Sequence, residues 1–142
     1  MSITSSRIAG LVAASSVVLL TTMPAFALTR ADQPVQGWSA MANSDAATLL
    51  KDVQDMPLSD MALGDQPYCA ADAEIRQTLE HDFAEARVDG SRHPGAELWG
   101  SASMGTWTLV APRADDTSCI IASGIGYKPG RAVEVYYKTA GL

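Results

Sequence analysis

The chain has 142 residues, 47% of them hydrophobic, two cysteines and a formal net charge of −6 at pH 7. An acidic balance of this size argues against nucleic acid as a partner, because such binding needs clustered Lys and Arg against phosphates. The length suits one domain with a core of modest size once an N-terminal targeting segment is set aside.

Residues 1–27 have the layout of a secretory signal peptide. Arg7 precedes an apolar run over residues 8–20, and the segment ends in Ala25-Phe26-Ala27. A basic start, about a dozen apolar residues and an Ala-x-Ala end are typical of a peptide that is removed on export. We therefore expect a mature protein that begins at Leu28 and is periplasmic in a Gram-negative envelope, or secreted.

A retained membrane anchor is the alternative interpretation of this segment. An anchor needs about 20 consecutive apolar residues, whereas Ser15-Ser16 and Thr21-Thr22 interrupt the run. Cleavage also removes Arg7, which leaves 9 basic residues against 16 acidic ones. We expect an acidic exported protein without stable membrane insertion.

Residues 28–42 show neither helical nor strand periodicity and contain Pro34 and Gly37, so they are predicted to be a flexible leader. Trp38 is unusual in such a segment, and an aromatic side chain in a leader can anchor a partner. Residues 43–142 are predicted to form a single α+β domain with its core over residues 69–138.

The strongest helical pattern lies over residues 70–87, where apolar side chains recur at helical spacing. These side chains are Ile75, Leu79, Phe83 and Ala86. A weaker helical pattern follows Ser44 and stops at Pro57.

Short runs typical of strands follow, separated by turn residues, over residues 96–101, 106–111, 117–123 and 132–138. In the second run, Trp107, Leu109 and Ala111 alternate with Thr106, Thr108 and Val110, which places each set on its own face. The fold class predicted is α+β, with one main helix packed on a three- to four-stranded antiparallel meander.

Cys69 and Cys119 are expected to form a disulfide, because two cysteines of an exported protein meet an oxidising compartment. The bridge would join the start of the main helix to the third strand. The alternative, a reactive thiol, lacks a Cys-x-x-Cys partner and a nearby basic cluster.

Two candidate catalytic or metal-binding groups carry little weight. His81, Asp82, Glu85 and His93 could supply metal ligands, but their spacing matches no familiar metal motif, and a solvated helix face is the simpler interpretation. A hydrolase would need His81 or His93 beside Ser101 or Ser103, a geometry that sequence order does not give. We predict no catalytic residues, no metal and no cofactor.

Aromatic side chains are concentrated in the strand-rich half and could form an interaction surface. The alternative is that they fill the core. Together with the leader tryptophan, the candidates for the surface are Trp38, Trp99, Trp107 and Tyr127.

Two stretches resemble a family of small, uncharacterised exported bacterial proteins. They are Gly105-Thr106-Trp107-Thr108, which matches a Gly-Thr-Trp-Thr strand, and residues 118–124, which match a Cys-x-x-Ala-x-Gly strand. The resemblance covers residues 69–124 and implies a disulfide-stapled domain with the pairing Cys69 to Cys119. The chain departs from the family pattern at Asp115-Asp116, where the family has Asp-Gly, and Asp is less suited than Gly to a left-handed residue.

The leading functional hypothesis is a non-enzymatic exported interaction or accessory protein, possible partners being other envelope proteins. The runner-up is a periplasmic small-ligand binding module with a pocket between helix and sheet. A small hydrolase is the third class. The sequence leaves the oligomeric state open.

Overall fold

The computed structural model describes residues 33–59, 67–90 and 93–142. The expected signal peptide and residues 28–32 of the expected leader lie outside these ranges. The elements in chain order are β1 (Gln36–Ser39), a 3₁₀ turn (Ala40–Asn43), α1 (Ala46–Asp52), β2 (Tyr68–Ala71), α2 (Asp72–Gln77), a π-helical turn (Thr78–Asp82), β3 (Ala86–Arg87), β4 (Glu97–Gly100), β5 (Thr106–Pro112), β6 (Thr117–Ile125) and α3 (Glu134–Ala140). None of the helices in these ranges has the length and apolar character that a bilayer crossing requires.

The mixed α+β class is confirmed, with six antiparallel strands in one sheet of the described residues. Their order is β1-β6-β5-β4-β3, and β2 also pairs with β6. Strand β6 therefore has β5 along one edge and two partners in tandem along the other. Residues 117–120 pair with β2, and residues 122–125 pair with β1.

Strand β1 corrects the prediction of a flexible leader for residues 36–39 of the segment 28–42. The sequence of β1 shows no alternation of apolar and polar residues, because pairing with β6 holds this strand in place. In that pairing Gly37 lies opposite Gly124. A Cβ atom added to Gly37 would lie 2.2 Å from the carbonyl oxygen of Ser123. Gly37 is therefore needed for the close approach of two strands and does not mark a loop.

Apolar side chains fill both faces of the sheet, so the domain has three layers. On one face α1 and α3 cover a core that contains Trp107, Leu109 and Ala111. On the other face lies the α2 segment, the name used here for α2 together with the π-helical turn (residues 72–82). Its Ile75 and Leu79 pack in a smaller cluster with Trp99 and Val110. The predicted alternation along β5 is thus confirmed.

The last predicted strand, residues 132–138, is wrong, because the chain forms helix α3 there. Alternating Val133, Val135 and Tyr137 favoured a strand. The buried side chains of α3 are Tyr136, Tyr137 and Ala140, which follow helical spacing. Gly141, with a φ of 93°, ends the helix in a left-handed cap.

Candidate functional site

The position of Glu85 is set by the way in which helix α2 ends. The α-helix ends at Gln77, and a single π-helical turn follows it. The predicted helix over residues 70–87 was therefore too long at both ends. Ala84 then adopts a left-handed φ of 49°, and the amide of Glu85 donates a hydrogen bond of 2.8 Å to the carbonyl of Leu79. This reversal of the chain is a common helix ending, and it places Glu85 against the sheet.

The carboxyl group of Glu85 is buried but lacks a full set of hydrogen-bond partners. Only 2% of the residue is exposed, and within the described ranges its Oε2 has no hydrogen-bond partner. Burial raises the pKa of Glu85 because the carboxylate loses its hydration, while the neighbouring hydroxyls of Thr106 and Thr108 lower it by a smaller amount. Buried polar atoms without partners are rare, and carboxyls with shifted pKa values are concentrated at functional sites.

A cavity of about 230 Å³ adjoins Glu85, between the end of the α2 segment and the sheet. Phe83 and Ile125 are 42% and 43% exposed, so they form its mouth. The inner walls are mostly apolar. The described residues that line the cavity are Leu79, Phe83, Glu85, Thr106, Trp107, Thr108, Ile120, Ser123, Gly124 and Ile125.

The sheet supplies the polar side chains of this cavity through its register. Thr106 lies opposite Ile125 and Thr108 lies opposite Ser123, so a ridge of hydroxyl and apolar side chains faces the α2 segment. The hydroxyl oxygen of Thr106, like Oε2 of Glu85, lacks a hydrogen-bond partner in the described ranges. Two polar atoms without partners therefore line the same cavity.

The expected disulfide between Cys69 and Cys119 is confirmed. The two residues face each other in register on β2 and β6, with their Cα atoms 4.0 Å apart. Both are fully buried. The bridge fixes the strand from which α2 starts, and so it fixes the element that carries Glu85.

The candidate aromatic surface corresponds poorly to the surface of the domain. Trp107 is fully buried and Trp99 is 7% exposed, so these two side chains belong to the core, as the alternative held. Tyr127 is half-buried and its ring lies 5.6 Å from that of Tyr136. Trp38 is half-buried on β1, where it pairs with Ser123.

The histidines and serines considered from sequence have other contacts. His93 stacks on Tyr137 with ring centroids 5.1 Å apart, whereas His81 is exposed on the π-helical turn. Ser101 is buried and its hydroxyl accepts a hydrogen bond from the amide of Met104 at 3.1 Å, which closes the turn between β4 and β5. Within the described ranges, no group of three His, Cys, Asp or Glu side chains is arranged to hold a metal ion.

Two further cavities differ from the Glu85 cavity in their chemistry. One of about 370 Å³ lies beside His93 and Tyr137. The other, of about 120 Å³, lies between α2 and the outer strands and has Arg76, Arg87 and Glu97 on its walls. Arg87 and Glu97 neutralise each other there in an ion pair of 3.4 Å. The Glu85 cavity joins a buried unpaired carboxyl to an apolar space, which is the composition typical of ligand sites.

Comparison of the chain with protein-family models, curated proteins and solved structures finds no match. The resemblance to exported bacterial proteins therefore remains a prediction. Sequence reasoning considered Glu85 on a solvated helix face and missed its burial. Its position depends on the π-helical turn and on the left-handed Ala84, and neither leaves a recognisable pattern in the sequence.

Proposed function

We propose that this protein is a small-ligand binding module whose ligand occupies the Glu85 cavity. The observation that carries the proposal is the unpaired Oε2 of a carboxyl that is 2% exposed. Leaving such a group without a partner costs about 1–3 kcal/mol, or more for a charged group. A ligand that supplies the missing partner recovers this free energy on binding.

Binding without turnover fits the composition of the cavity. Among the described residues that line it, Glu85 is the single ionisable side chain, whereas acid–base catalysis usually combines two groups with opposed pKa shifts. We therefore propose a non-enzymatic role. The alternative role, as an interaction or accessory protein, has less support because Trp99 and Trp107 are core residues.

We place this module outside the cytoplasm, in the periplasm or the medium, after removal of residues 1–27. The layout of that segment carries this part of the proposal. The Cys69–Cys119 disulfide supports it, since such bonds persist mainly in oxidising compartments. N-terminal sequencing of the exported protein tests it, and a chain that still begins at Met1 would contradict it.

A titration with toluene, followed by amide chemical shifts, tests the ligand site. Toluene is of suitable size, because an apolar cavity of about 150 Å³ accommodates benzene. We expect saturable shifts and intermolecular NOEs at Phe83 and Ile125. Saturable binding elsewhere would overturn the proposal, and so would failure of toluene together with the three polar probes described in the next subsection.

Two variants give this titration a matched pair. Ser123→Leu adds bulk to the cavity wall and should abolish the toluene shifts. Thr139→Leu adds similar bulk to an exposed position of α3, on the helix that covers the opposite face of the sheet, and should leave them unchanged. The NOEs of the unmodified protein decide the question if Ser123→Leu does not fold.

A further inference from the structure

The buried carboxyl oxygen of the Glu85 cavity has unused capacity as a hydrogen-bond acceptor. Oε2 of Glu85 lacks a partner, and an ionised carboxylate can only accept. The hydroxyl of Thr106, also without a partner, can accept a hydrogen bond or donate one. The indole N–H of Trp107, in contrast, is already donated to the carbonyl of Ile125 at 3.0 Å. A ligand that supplies the missing partner of Oε2 brings a donor.

The charge around the cavity favours a cation. Glu80 and Asp82 are exposed on the π-helical turn that precedes Glu85. Residues 72–90 together hold six acidic side chains and two arginines, and one of these, Arg87, is paired with Glu97. Since the whole chain carries −6, its field attracts cations toward this end of the domain.

The remaining walls accept the apolar part of such a ligand. Phe83 lines the cavity with its aromatic ring, and aromatic faces attract ammonium groups that lie within about 6 Å. Leu79 and Ile120 add aliphatic surface. The volume of about 230 Å³ exceeds that of the benzene-binding cavity and suits a single ring with a short chain.

We propose that the ligand is a small organic ammonium ion with an apolar body about the size of a phenylethyl group, held by an ion pair with Glu85. This proposal rests on the proposed binding function and adds the chemical class of the ligand. The ammonium group donates to Oε2 and to the Thr106 hydroxyl, while the apolar body lies against Phe83, Leu79 and Ile120. Because solvent does not reach Oε2, entry requires side-chain movement at the mouth, where Phe83 and Ile125 are exposed.

Three probes of similar shape test the charge preference at pH 7: 2-phenylethylamine, 2-phenylethanol and 3-phenylpropanoate. They are titrated by calorimetry against protein recovered from cells that express the full chain, with its disulfide formed. We expect the amine to bind at least about tenfold more tightly than the alcohol, and the carboxylate to bind most weakly, because a buried ion pair between ligand and carboxylate is strong when both partners are present.

The variant Glu85→Gln keeps the shape of the side chain and removes its negative charge. It should reduce the amine preference to about twofold or less, while binding of the alcohol changes little. Glu134→Gln is the matched control, because Glu134 is exposed on α3, the helix that covers the opposite face of the sheet. That variant should keep the full preference.

The outcomes separate the two proposals. Equal binding of amine and alcohol, or an amine preference that survives Glu85→Gln, overturns the ammonium assignment and leaves a neutral-ligand module standing. If none of the three probes binds although toluene does, the ammonium assignment also fails and the binding function is retained. If toluene fails as well, both proposals fall. Should Glu85→Gln not fold, the ranking of the three probes on the unmodified protein decides.

Discussion

The amide of Glu85 donates a hydrogen bond of 2.8 Å to the carbonyl of Leu79, and the residue between the π-helical turn and Glu85 that makes this possible, Ala84, is left-handed. Glycine usually holds such a position, because a Cβ atom in this conformation costs about 1–2 kcal/mol. The domain therefore accepts local backbone strain at the point that directs its buried carboxyl into the cavity.

Replacing Ala84 by glycine should relieve this strain. We expect Ala84→Gly to raise the free energy of unfolding by about 0.5–1 kcal/mol, after allowance for the greater entropy of glycine in the unfolded chain. Guanidinium denaturation measures the change. Ala114→Gly, at an exposed turn position without a positive φ, should give no gain. A loss of stability in Ala84→Gly would contradict this account of the helix ending.

The turn between β5 and β6 offers a second test of left-handed strain. Asp116 has a φ of 56°, at the position where the resemblance led us to expect glycine, and its carbonyl accepts a hydrogen bond of 3.0 Å from the amide of Asp72. Asp116→Gly keeps that backbone bond and should stabilise the domain by about 0.5–1 kcal/mol.

The neighbouring position is the control for this turn. Asp115 accepts a hydrogen bond from the hydroxyl of Thr117 and pairs with Arg113 at 3.3 Å. Asp115→Gly removes both contacts and should lower the melting temperature, whereas Asp116→Gly should raise it. Equal effects of the two substitutions would show that backbone conformation is not the cause.

The buried carboxyl should make stability depend on pH. Burial raises the pKa of Glu85 above its ordinary value of 4.5. As the pH rises, the folded state therefore keeps this proton to a higher pH than the unfolded state does. The contribution of Glu85 to stability is thus complete below about pH 4.5 and is lost as the pH rises through the folded pKa. In the absence of ligand, we expect the free energy of unfolding to fall over that interval.

Glu85→Gln should remove this dependence and unfold less readily than the unmodified protein at neutral pH. Asp115 does not confuse the measurement, because hydrogen bonding from Thr117 and the charge of Arg113 lower its pKa. Its contribution is therefore lost only as the solution becomes more acidic than its ordinary value of 3.8. Denaturation curves measured between pH 5 and about 8 test the prediction. If the free energy of unfolding changes with pH by the same amount in both proteins, the prediction is refuted.

Loss of the disulfide should be the most damaging of these changes. The bridge closes a sequence separation of 50 residues, for which chain entropy gives a stabilisation of about 4 kcal/mol against a typical total of about 5–15 kcal/mol. The double substitution Cys69→Ala with Cys119→Ala should greatly lower the denaturant midpoint. Reduction of the unmodified protein should have a similar effect, and a midpoint insensitive to reductant would contradict it.

The sequence predicted those features that strand alternation and cysteine chemistry determine locally. The faces of β5 and the partner of Cys69 belong to this group. It failed where distant contacts decide the conformation: β1 takes its register from β6, and Tyr137 belongs to a helix because Tyr136 and Ala140 share its buried side. The candidate site could not be predicted from the sequence. Glu85 is buried because the chain reverses at Ala84, and an alanine does not indicate such a helix ending.

Strands β2 and β1 pair with the same edge of β6, and the two halves of this edge differ in how firmly they are held. The half opposite β2 is crossed by the Cys69–Cys119 bond, whereas β1 is held by backbone pairing and by contacts such as that between the Ser39 hydroxyl and the Ala140 carbonyl. Local opening should therefore begin at β1, and amide hydrogens at that half should exchange with solvent faster than those beside the bridge. Once β1 departs, residues 122–125 present unpaired backbone groups to which a strand from another molecule can add.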